Sequence, residues 1–404
     1  MESIVVFGLG YVGLPLALLT KSKGFSVVGV DVSRGALKRA RKEGLEVSSD
    51  GAGAVKSADV VVVCVPTPVD KNYMPDLGAV KAACKVIAKG LRKGQLVIIE
   101  STINPGVMEG IVQPILEESG LKAGKDFLLA HCPERIDPGN KKWDVSNLPR
   151  VVGGIGREST RRAAEFYRKI IDAPVLELSS VRAAEATKIM ENAFRDVNIA
   201  FVNEMAKSFD QMGIDITEVI KAAATKPFAF MSHWPGCGVG GHCIPVDPYY
   251  LIEEAKRKGF NHRFLLLARE INNGMPEYTV QKAVDGLNEV GLSVKGAKVC
   301  VLGLAYKRDV DDIRESPAVK IIEKLKKLGA KVDVYDPFLK DKSTVKSLKD
   351  CMRSDCILLA TDHTEFREMD PNKLKKVKVV VDGRNCLDKE KIKKLGVVYR
   401  GIGR

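Results

Sequence analysis

The chain has 404 residues, of which 45% are apolar and 28% are charged, and its formal net charge is +13. This length allows two or three domains, and the composition is that of a globular protein, which excludes a disordered, collagen-like or coiled-coil chain. Residues 3–20 carry no charge, but the glycines at 8, 10 and 13 favour a strand, a turn and a helix over a membrane span. No targeting signal is evident, so the cytoplasm is the expected location.

The cysteines and the basic residues each exclude a class of function. Nine cysteines include no CxxC pair, so neither a disulfide framework nor a zinc knuckle is expected. The basic residues are spread over many predicted helices, with no arginine-rich arm and no helix-turn-helix pattern. We interpret the positive charge as a lysine-rich solvated surface that could attract small polyanions such as dinucleotides, and we expect no nucleic-acid partner.

Strand-like and helical patterns alternate through the first 180 residues. Predicted strands cover residues 4–8, 26–31, 60–66, 95–101, 127–131, 150–154 and 174–178, and predicted helices include 14–23, 77–89 and 106–119. Short β-branched strands separated by helices predict a parallel sheet covered on both faces. The fold class is therefore α/β, with a Rossmann-type doubly wound sheet over residues 1–180.

The pattern changes to helices after residue 180 and returns to strands near residue 295. Helical spacing covers residues 181–212, 216–224, 247–257 and 264–291, which predicts a central helical domain, 181–294, that could carry a subunit interface. Predicted strands at 299–302, 332–335, 356–360 and 377–382, with a helix at 317–328, indicate a Rossmann-like α/β domain over 295–404. Its turn at residues 303–306 weakly resembles residues 8–11 but lacks the glycine spacing, so we assign it no dinucleotide.

The first turn matches a dinucleotide-binding pattern. Residues 8–13 read Gly-Leu-Gly-Tyr-Val-Gly, follow a predicted strand and begin a predicted helix. In such folds the glycines allow the tight turn, the approach of the pyrophosphate and the packing of helix on strand. Asp31 ends the next strand, where it would bind the ribose and repel a 2′-phosphate, which favours NAD over NADP. Arg34 could accommodate such a phosphate, and a glycine turn without a ligand is the alternative.

Two further loops follow predicted strands at the edge where doubly wound sheets bind ligands. The hydroxyls of Thr67, Ser101 and Thr102 could face cofactor or substrate there. Ordinary turn chemistry and helix capping by serine or threonine are the alternative.

Polar residues share one face of the long helix predicted after residue 180. Lys188, Asn192 and Arg195 follow one another at steps of four and three residues. A lysine and an asparagine beside a nicotinamide would act as base and orienting group, whereas a solvated charged face is the alternative. The opposite face is apolar and consists of Ile189, Met190, Ala193, Phe194 and Val197.

A glycine-rich loop carries the predicted nucleophile. Cys243 ends this loop just before a predicted helix, and Asp247 follows one turn later. A helix N-terminus favours the thiolate, which is the nucleophilic form of cysteine. Cys237 is a rival without an acid at that spacing. His242 and Cys243 are adjacent and point in different directions, so we expect no metal site.

With these motifs, the chain resembles the UDP-glucose and GDP-mannose dehydrogenases, which are NAD-dependent enzymes that oxidise a sugar C6 alcohol to a carboxylate. The resemblance covers essentially the whole chain. It rests on GLGYVGLP at 8–15, CVPTP at 64–68, STINPG at 101–106, PERIDPGN at 133–140, GVGGHCIPVDP at 238–248, LAYKRDVDDIRESP at 304–317 and DGRN at 382–385.

The resemblance implies roles for individual residues. It makes Cys243 the nucleophile, with Lys188 and Asn192 acting on the C6 oxygen, Asp247 holding a water, and Glu134 assisting hydrolysis. The implied NAD contacts, with Ser101 added from its place after a strand, are Gly8, Gly10, Tyr11, Val12, Gly13, Asp31, Thr67, Thr102 and Arg314. The implied UDP-sugar contacts, besides Lys188 and Asn192, are Arg135, Ile136, Arg195, Gly240, Tyr306, Lys307 and Arg384. Some of these could come from a partner subunit of a homodimer or higher homo-oligomer.

Departures from the glucose enzymes favour an N-acetylated sugar. Ile-Pro-Val-Asp follows Cys243 where those enzymes tend to have Phe-Pro-Lys-Asp, and Pro138 replaces a second glutamate. Residues 226–230 resemble the UDP-N-acetylglucosamine enzymes more than the UDP-N-acetylmannosamine enzymes. UDP-N-acetylmannosamine and UDP-glucose stay as alternatives. A two-electron hydroxyacid dehydrogenase is more remote, because it needs neither Cys243 nor a third domain.

Overall fold

The computed structural model describes residues 2–68, 76–136, 142–241 and 243–404. The chain forms two compact units, Met1–Glu191 with Tyr249–Phe260 and Asn192–Pro248 with Asn261–Arg404. The three-domain division expected from the sequence stays a prediction. No helix within these ranges is long and apolar enough to cross a membrane.

The N-terminal unit is built on an eight-stranded sheet with the order β3-β2-β1-β4-β5-β6-β7-β8. Its strands are β1 (Ser3–Phe7), β2 (Ser26–Val30), β3 (Glu46–Ser48), β4 (Val60–Val63), β5 (Leu96–Ile99), β6 (Leu128–His131), β7 (Arg150–Gly154) and β8 (Val175–Glu177). Its helices before residue 181 are α1 (Gly13–Ser22), α2 (Arg34–Lys42), α3 (Gly51–Ser57), α4 (Gly78–Gly90), a π-helical turn (Met108–Val112), α5 (Gln113–Glu117) and α6 (Arg157–Ile170).

Helices cover both faces of this sheet, which explains its apolar strands. Along β4, Val60 and Val62 pack into a core with α1, α2 and α6, while Val61 and Val63 pack into a second core with α3, α4 and α5. Alternate side chains of a strand point to opposite faces, so a strand buried on both sides must be apolar throughout. The predicted doubly wound sheet is therefore confirmed.

One strand pair differs from the predicted parallel sheet. Strand β7 runs antiparallel to β6, whereas the other neighbouring pairs in the sheet are parallel. A parallel connection needs a crossover, usually a helix. No helix lies between these strands in the described residues 132–136 and 142–149. The prediction of a wholly parallel sheet was wrong at this pair.

The C-terminal unit contains a five-stranded parallel sheet with the order β10-β9-β11-β12-β13. Four helices precede the sheet in the chain: α7 (Val181–Gln211), α8 (Ile216–Ala223), α9 (Asp247–Arg257) and α10 (Arg263–Glu289). Of these, α7 and α9 contribute residues to both units. The sheet and its helices are β9 (Lys298–Leu302), α11 (Pro317–Lys327), β10 (Lys331–Tyr335), α12 (Leu348–Cys351), β11 (Cys356–Leu359), α13 (Thr364–Arg367), a 3₁₀ turn (Pro371–Leu374), β12 (Val379–Asp382), α14 (Lys389–Lys394) and β13 (Val398–Gly401).

Its first turn is closed by a buried aspartate. Asp336, just after β10, accepts hydrogen bonds from the backbone N–H groups of Leu304 (2.6 Å) and Ala305 (2.9 Å). His363 Nε2 lies 3.0 Å from the same carboxylate, and both side chains are fully buried. The carboxylate of Asp336 is thus occupied by protein groups, and the expectation that this turn binds no dinucleotide stays a prediction.

Candidate active site

The glycine turn between β1 and α1 has the shape that a dinucleotide needs. Gly8 has φ +89°, and a Cβ there would lie 2.5 Å from the carbonyl oxygen of Cys64. A Cβ on Gly13 would lie 1.9 Å from the carbonyl oxygen of Gly8, so α1 packs directly on the turn. At Gly10, by contrast, no described atom lies within 4 Å of the Cβ position. The backbone is therefore open to an approaching pyrophosphate at Gly10.

Asp31 is fixed beside this turn. One of its carboxylate oxygens accepts the backbone N–H of Leu9 and the other accepts that of Ser33, both at 2.7 Å. Each oxygen keeps a lone pair for a ribose hydroxyl. Tyr11 is 78% exposed on the turn, and Val12 directly precedes α1. The residues present therefore fit NAD.

The two other strand-end loops are tied together by hydrogen bonds. Ser101 donates its hydroxyl to the carbonyl oxygen of Val65 at 2.7 Å, and Tyr250 donates to the carbonyl oxygen of Thr67 at 2.8 Å. Thr102, next to Ser101, is half-buried. The first bond gives Ser101 a structural part in holding the loop after β4, whatever it contributes to a ligand, and the second holds the same loop from Tyr250.

Lys188 lies on α7 and is only 6% exposed, so it is not part of a solvated face. Its Nζ is 3.7 Å from Oε2 of Glu134. Burial raises the pKa of Glu134, whereas Lys188 and Arg150 lower it. A buried ammonium needs such a counterion, and the pair brings together a potential base and a potential acid.

Two predicted substrate residues follow Glu134 in the chain. The Arg135 guanidinium forms an ion pair with Glu191 at 2.5 Å and donates to the carbonyl oxygen of Pro149 at 3.0 Å. The backbone N–H of Ile136 donates to Oε1 of Glu134. Arg135 is thus already oriented by protein groups, and Pro138 lies outside the described residues.

The C-terminal unit joins Asn192 and Asp247 directly. Nδ2 of Asn192 donates to Oδ2 of Asp247 at 2.5 Å, and Asp247 is 2% exposed as the first residue of α9. The backbone N–H of Asp247 donates to the carbonyl oxygen of Cys243 at 2.8 Å, so Cys243 lies one turn before the helix, as predicted. Arg195 is exposed.

The surroundings of the two candidate thiols differ. Cys243 is half-buried and lies within the electrostatic range of Arg314, whose guanidinium is ion-paired with Asp312 at 2.6 Å. A cation near a cysteine favours the thiolate. Cys237 is completely buried and donates to the carbonyl oxygen of Ala360 at 3.3 Å. Burial raises the pKa of the Cys237 thiol, which makes it inert. In the described ranges no three histidine, cysteine or acidic side chains could hold a metal ion, and His242 lies outside those ranges.

The glycine-rich loop packs against predicted substrate residues. A Cβ on Gly240 would lie 2.7 Å from Cβ of Tyr306, and one on Gly241 would lie 2.8 Å from its ring. Arg384 donates from Nε to the carbonyl oxygen of Ala360 at 2.8 Å, and its Nη1 is 3.0 Å from the Cβ position of residue 236. Close packing therefore accounts for the missing side chains of these glycines. Lys307, next to Tyr306, is half-buried.

Several supporting residues were not predicted. Glu185 accepts the backbone N–H groups of Gly106 (2.7 Å) and Met108 (2.8 Å) in the loop that carries Thr102. Asn203 accepts the N–H of Gly236 at 3.0 Å and so holds the glycine-rich loop. A signal was present in the sequence, because polar residues recur along α7 at helical spacing: Glu185, Lys188, Asn192, Asp196 and Asn203.

Comparison with known proteins identifies the family. Three models of the UDP-glucose/GDP-mannose dehydrogenase family match the chain: the NAD binding domain over residues 34–171, the central domain over 182–274 and the UDP binding domain over 300–389. The chain belongs to this family. It is an NAD-dependent UDP-sugar dehydrogenase, which confirms the predicted enzyme class and cofactor.

Similar family members cover almost the whole chain. It is 36% identical to the UDP-N-acetyl-D-mannosamine dehydrogenase of Pyrococcus horikoshii over 99% of both chains. It is 37% identical to the UDP-N-acetyl-D-glucosamine 6-dehydrogenase of Pseudomonas aeruginosa, over 96% of this chain and 98% of that one. A solved structure of the UDP-D-ManNAc dehydrogenase from Pyrococcus horikoshii matches with a TM-score of 0.92 at 36% identity, covering 100% of this chain and 99% of that one.

Proposed function

We propose that this dehydrogenase oxidises the C6 alcohol of a UDP-N-acetylhexosamine to the carboxylate. UDP-N-acetylglucosamine is the first candidate for this substrate. The observation that carries the proposal is the Asn192–Asp247 hydrogen bond one helical turn after Cys243. A two-electron alcohol oxidation needs no thiol. A thiol with an acid and an amide one turn away is suited to trapping an aldehyde and delivering water to it.

The proposed reaction uses the chain's own groups in sequence. Lys188, or a water held by Asn192 and Asp247, takes the C6 hydroxyl proton. Two NAD molecules, bound one after the other, would each accept one of the two hydrides. The Cys243 thiolate adds to the aldehyde as a thiohemiacetal, whose oxidation leaves a thioester. Asp247 activates the water that attacks the thioester, so that the C–S bond breaks and the uronate leaves. Glu134 is assigned to the same hydrolytic step on the family resemblance.

The ligand contacts are assigned on the family resemblance. For NAD we propose Gly8, Gly10, Tyr11, Val12, Gly13, Asp31, Thr67, Ser101, Thr102 and Arg314. For the UDP-sugar we propose Lys188, Asn192, Arg135, Ile136, Arg195, Gly240, Tyr306, Lys307 and Arg384. The open backbone at Gly10 and the fixed carboxylate of Asp31 support the first set.

The choice of sugar rests on sequence differences within the family. The two relatives named above act on different N-acetylhexosamines, by their names, at nearly equal identity. Residues 226–230 favour the glucosamine form, and in this segment Lys226 Nζ lies 4.8 Å from the centroid of the exposed Phe228 ring. UDP-N-acetylmannosamine is the second candidate, because a relative with that name is similar over 99% of the chain.

We further propose a homodimer through α7. Met190, Phe194 and Phe201 are 67%, 47% and 54% exposed, and their spacing of four and seven residues puts them on one helical face. Exposed apolar surface of this kind marks protein contacts, and most soluble oligomers are symmetric assemblies of identical chains. A second copy of the chain is therefore the proposed partner.

The stoichiometry of NADH tests the reaction. The enzyme, with excess NAD, converts a limiting amount of UDP-N-acetylglucosamine or UDP-N-acetylmannosamine completely. The amounts of NADH and of sugar product are then measured. We expect two NADH and one uronate for each sugar consumed. One NADH with accumulation of the aldehyde would contradict the four-electron reaction.

A further inference from the structure

A buried charged cluster that the proposed mechanism does not use lies behind Glu134 in the N-terminal unit. Arg150, the first residue of β7, is 1% exposed, and its Nη1 is 3.8 Å from Oε2 of Glu100. Glu100, just after β5, is completely buried and accepts the hydroxyl of Tyr167 at 2.5 Å. A cation and an anion are thus held together inside the fold.

The geometry of Arg150 is unusual for a structural ion pair. Buried arginines normally form parallel hydrogen bonds with a carboxylate. In the described part of the chain, Nε, Nη1 and Nη2 of Arg150 have no hydrogen-bond partner. Its Cζ lies 5.8 Å from the centroid of the Tyr167 ring, a cation–π contact. Because burying a charge is costly, its loose contact with Glu100 does not explain why the guanidinium is there.

The cluster continues to the proposed catalytic pair. The backbone N–H of Glu134 donates to the carbonyl oxygen of Glu100 at 3.3 Å, and Oε2 of Glu134 is 3.7 Å from Nζ of Lys188. Two cations and two anions therefore form one neutral group. Burial and the charge of Glu100 raise the pKa of Glu134. The charges of Lys188 and Arg150 lower it. Arg150 and Lys188 thus both favour the charged form of Glu134, whereas burial and Glu100 oppose it.

Apart from Lys188, the groups around Arg150 described below supply no second positive charge to Glu134. Cys64, Cys132 and Tyr167 face the same cluster, and burial raises the pKa of each of them, that of Cys132 to about 12. These groups are neutral near pH 7 and carry no positive charge. Arg135 is engaged by Glu191 at 2.5 Å.

We propose that Arg150 is a positioning residue whose buried charge holds Glu134 as the carboxylate that pairs with Lys188. Without Arg150, Glu134 takes up a proton more easily and Lys188 loses its counterion. The inference rests on the proposed function for the catalytic meaning of the Lys188–Glu134 pair. The charge of Glu134 can nevertheless be measured without any substrate, so the two proposals fail separately.

The experiment follows the titration of Glu134 in the full chain. Glutamate labelled with ¹³C at the side-chain carboxyl is incorporated, and the NMR signal of Glu134 is identified by its loss in Glu134→Gln. In Arg150→Met we expect the titration midpoint to rise by about one pH unit or more, because an opposite charge is removed. In Glu100→Gln it should fall, and in Arg150→Lys it should stay near the native value. A merely structural role of Arg150 gives no such opposite shifts.

Matched variants make the result decisive. Arg269→Met removes another buried arginine, the partner of Asp196 in the C-terminal unit, and should leave the midpoint of Glu134 unchanged. An unchanged midpoint in folded Arg150→Met would overturn the proposal. If that variant does not fold, Arg150→Met/Glu100→Gln compared with Glu100→Gln isolates the same effect. Absence of UDP-sugar turnover alongside the expected shifts would overturn the proposed function alone.

Discussion

Cys243 is set apart from Cys237 by its surroundings more than by its place in the glycine-rich loop. The Cys237 thiol is buried against a carbonyl oxygen, whereas Cys243 is half-buried near Arg314 and lies one turn before the α9 N-terminus. Exposure together with a nearby cation is what makes a thiol reactive. The sequence alone left both cysteines as candidates.

We predict that Cys243→Ser lowers uronate formation by roughly 10³-fold or more, because a serine hydroxyl is a poor nucleophile toward the aldehyde and a poor leaving group afterwards. Cys237→Ser is the matched control and should keep most of the activity, since its hydroxyl can still donate to Ala360. Steady-state NADH and product analysis measure both. Full turnover by Cys243→Ser would remove the thiol from the mechanism.

Asp31 leads to a prediction about the preference for NAD over NADP. Asp31→Ala should lower kcat/KM for NAD by roughly tenfold to a hundredfold, because ribose hydroxyls lose a charged acceptor, and should lower it less for NADP. Asp50→Ala, which removes an aspartate that caps α3, is the matched control and should not change the preference. Equal kcat/KM for both cofactors in the unmodified protein would mean that Arg34 offsets Asp31.

At the scale of elements, α7 shows how far a sequence pattern reaches. Its predicted range of 181–212 agrees with the observed Val181–Gln211, since a long period without proline or glycine defines a helix well. The pattern did not tell what covers each face: Lys188 is buried, whereas Met190 and Phe194 of the predicted apolar face are exposed. Burial depends on partners distant in sequence, which periodicity does not identify.

Strand β6 leads to a prediction about pH. His131 ends β6, is fully buried and donates from Nδ1 to the carbonyl oxygen of Ile99 at 2.7 Å. Burial lowers its pKa from 6.5 to about 4. Between these values the unfolded chain binds the proton and the native protein does not, so this part of the stability is complete above pH 6.5 and decreases toward pH 4.

His131→Asn keeps a donor for Ile99 and removes the titration. We therefore expect its free energy of unfolding to decrease less between pH 7 and pH 5 than that of the native protein, by about 1–2 kcal/mol. His233→Asn, at a half-buried site in ring contact with Phe194, is the matched control for replacing a histidine by asparagine. Urea unfolding at the two pH values measures this. An unchanged slope in His131→Asn would contradict the role of this histidine.

The apolar stripe of α7 supplies a prediction about assembly. Phe194→Glu/Phe201→Glu places two charges on this face and should convert a dimer to a monomer of 44.1 kDa, as measured by light scattering after size-exclusion chromatography. Leu328→Glu, at a site with 44% exposure after α11, is the matched control and should leave the mass unchanged. A native protein that is already monomeric would contradict the proposed dimer.

At the scale of the whole molecule, two Rossmann-like sheets serve different purposes although each begins with a glycine turn and an aspartate. Asp31 leaves lone pairs beside an open backbone, whereas Asp336 is closed by two N–H groups and His363. The glycine spacing missing at residues 303–306 is the sequence signal that distinguishes the two turns. The buried pairs Asp196–Arg269 and Glu100–Arg150 had no such signal, because their partners are far apart in the chain.

Sequence differences from the glucose enzymes also predict which sugar the whole molecule oxidises. We expect UDP-N-acetylglucosamine to give a higher kcat/KM than UDP-glucose, by roughly tenfold to a hundredfold. A pocket that pairs the donor and the acceptor of an acetamido group leaves its own groups unsatisfied around a plain hydroxyl, at about 1–3 kcal/mol each. NADH formation with UDP-N-acetylglucosamine, UDP-N-acetylmannosamine and UDP-glucose at matched concentrations measures the order. A higher value for UDP-glucose would contradict the reading of residues 244–247 and Pro138, whereas a higher value for UDP-N-acetylmannosamine would contradict only that of residues 226–230.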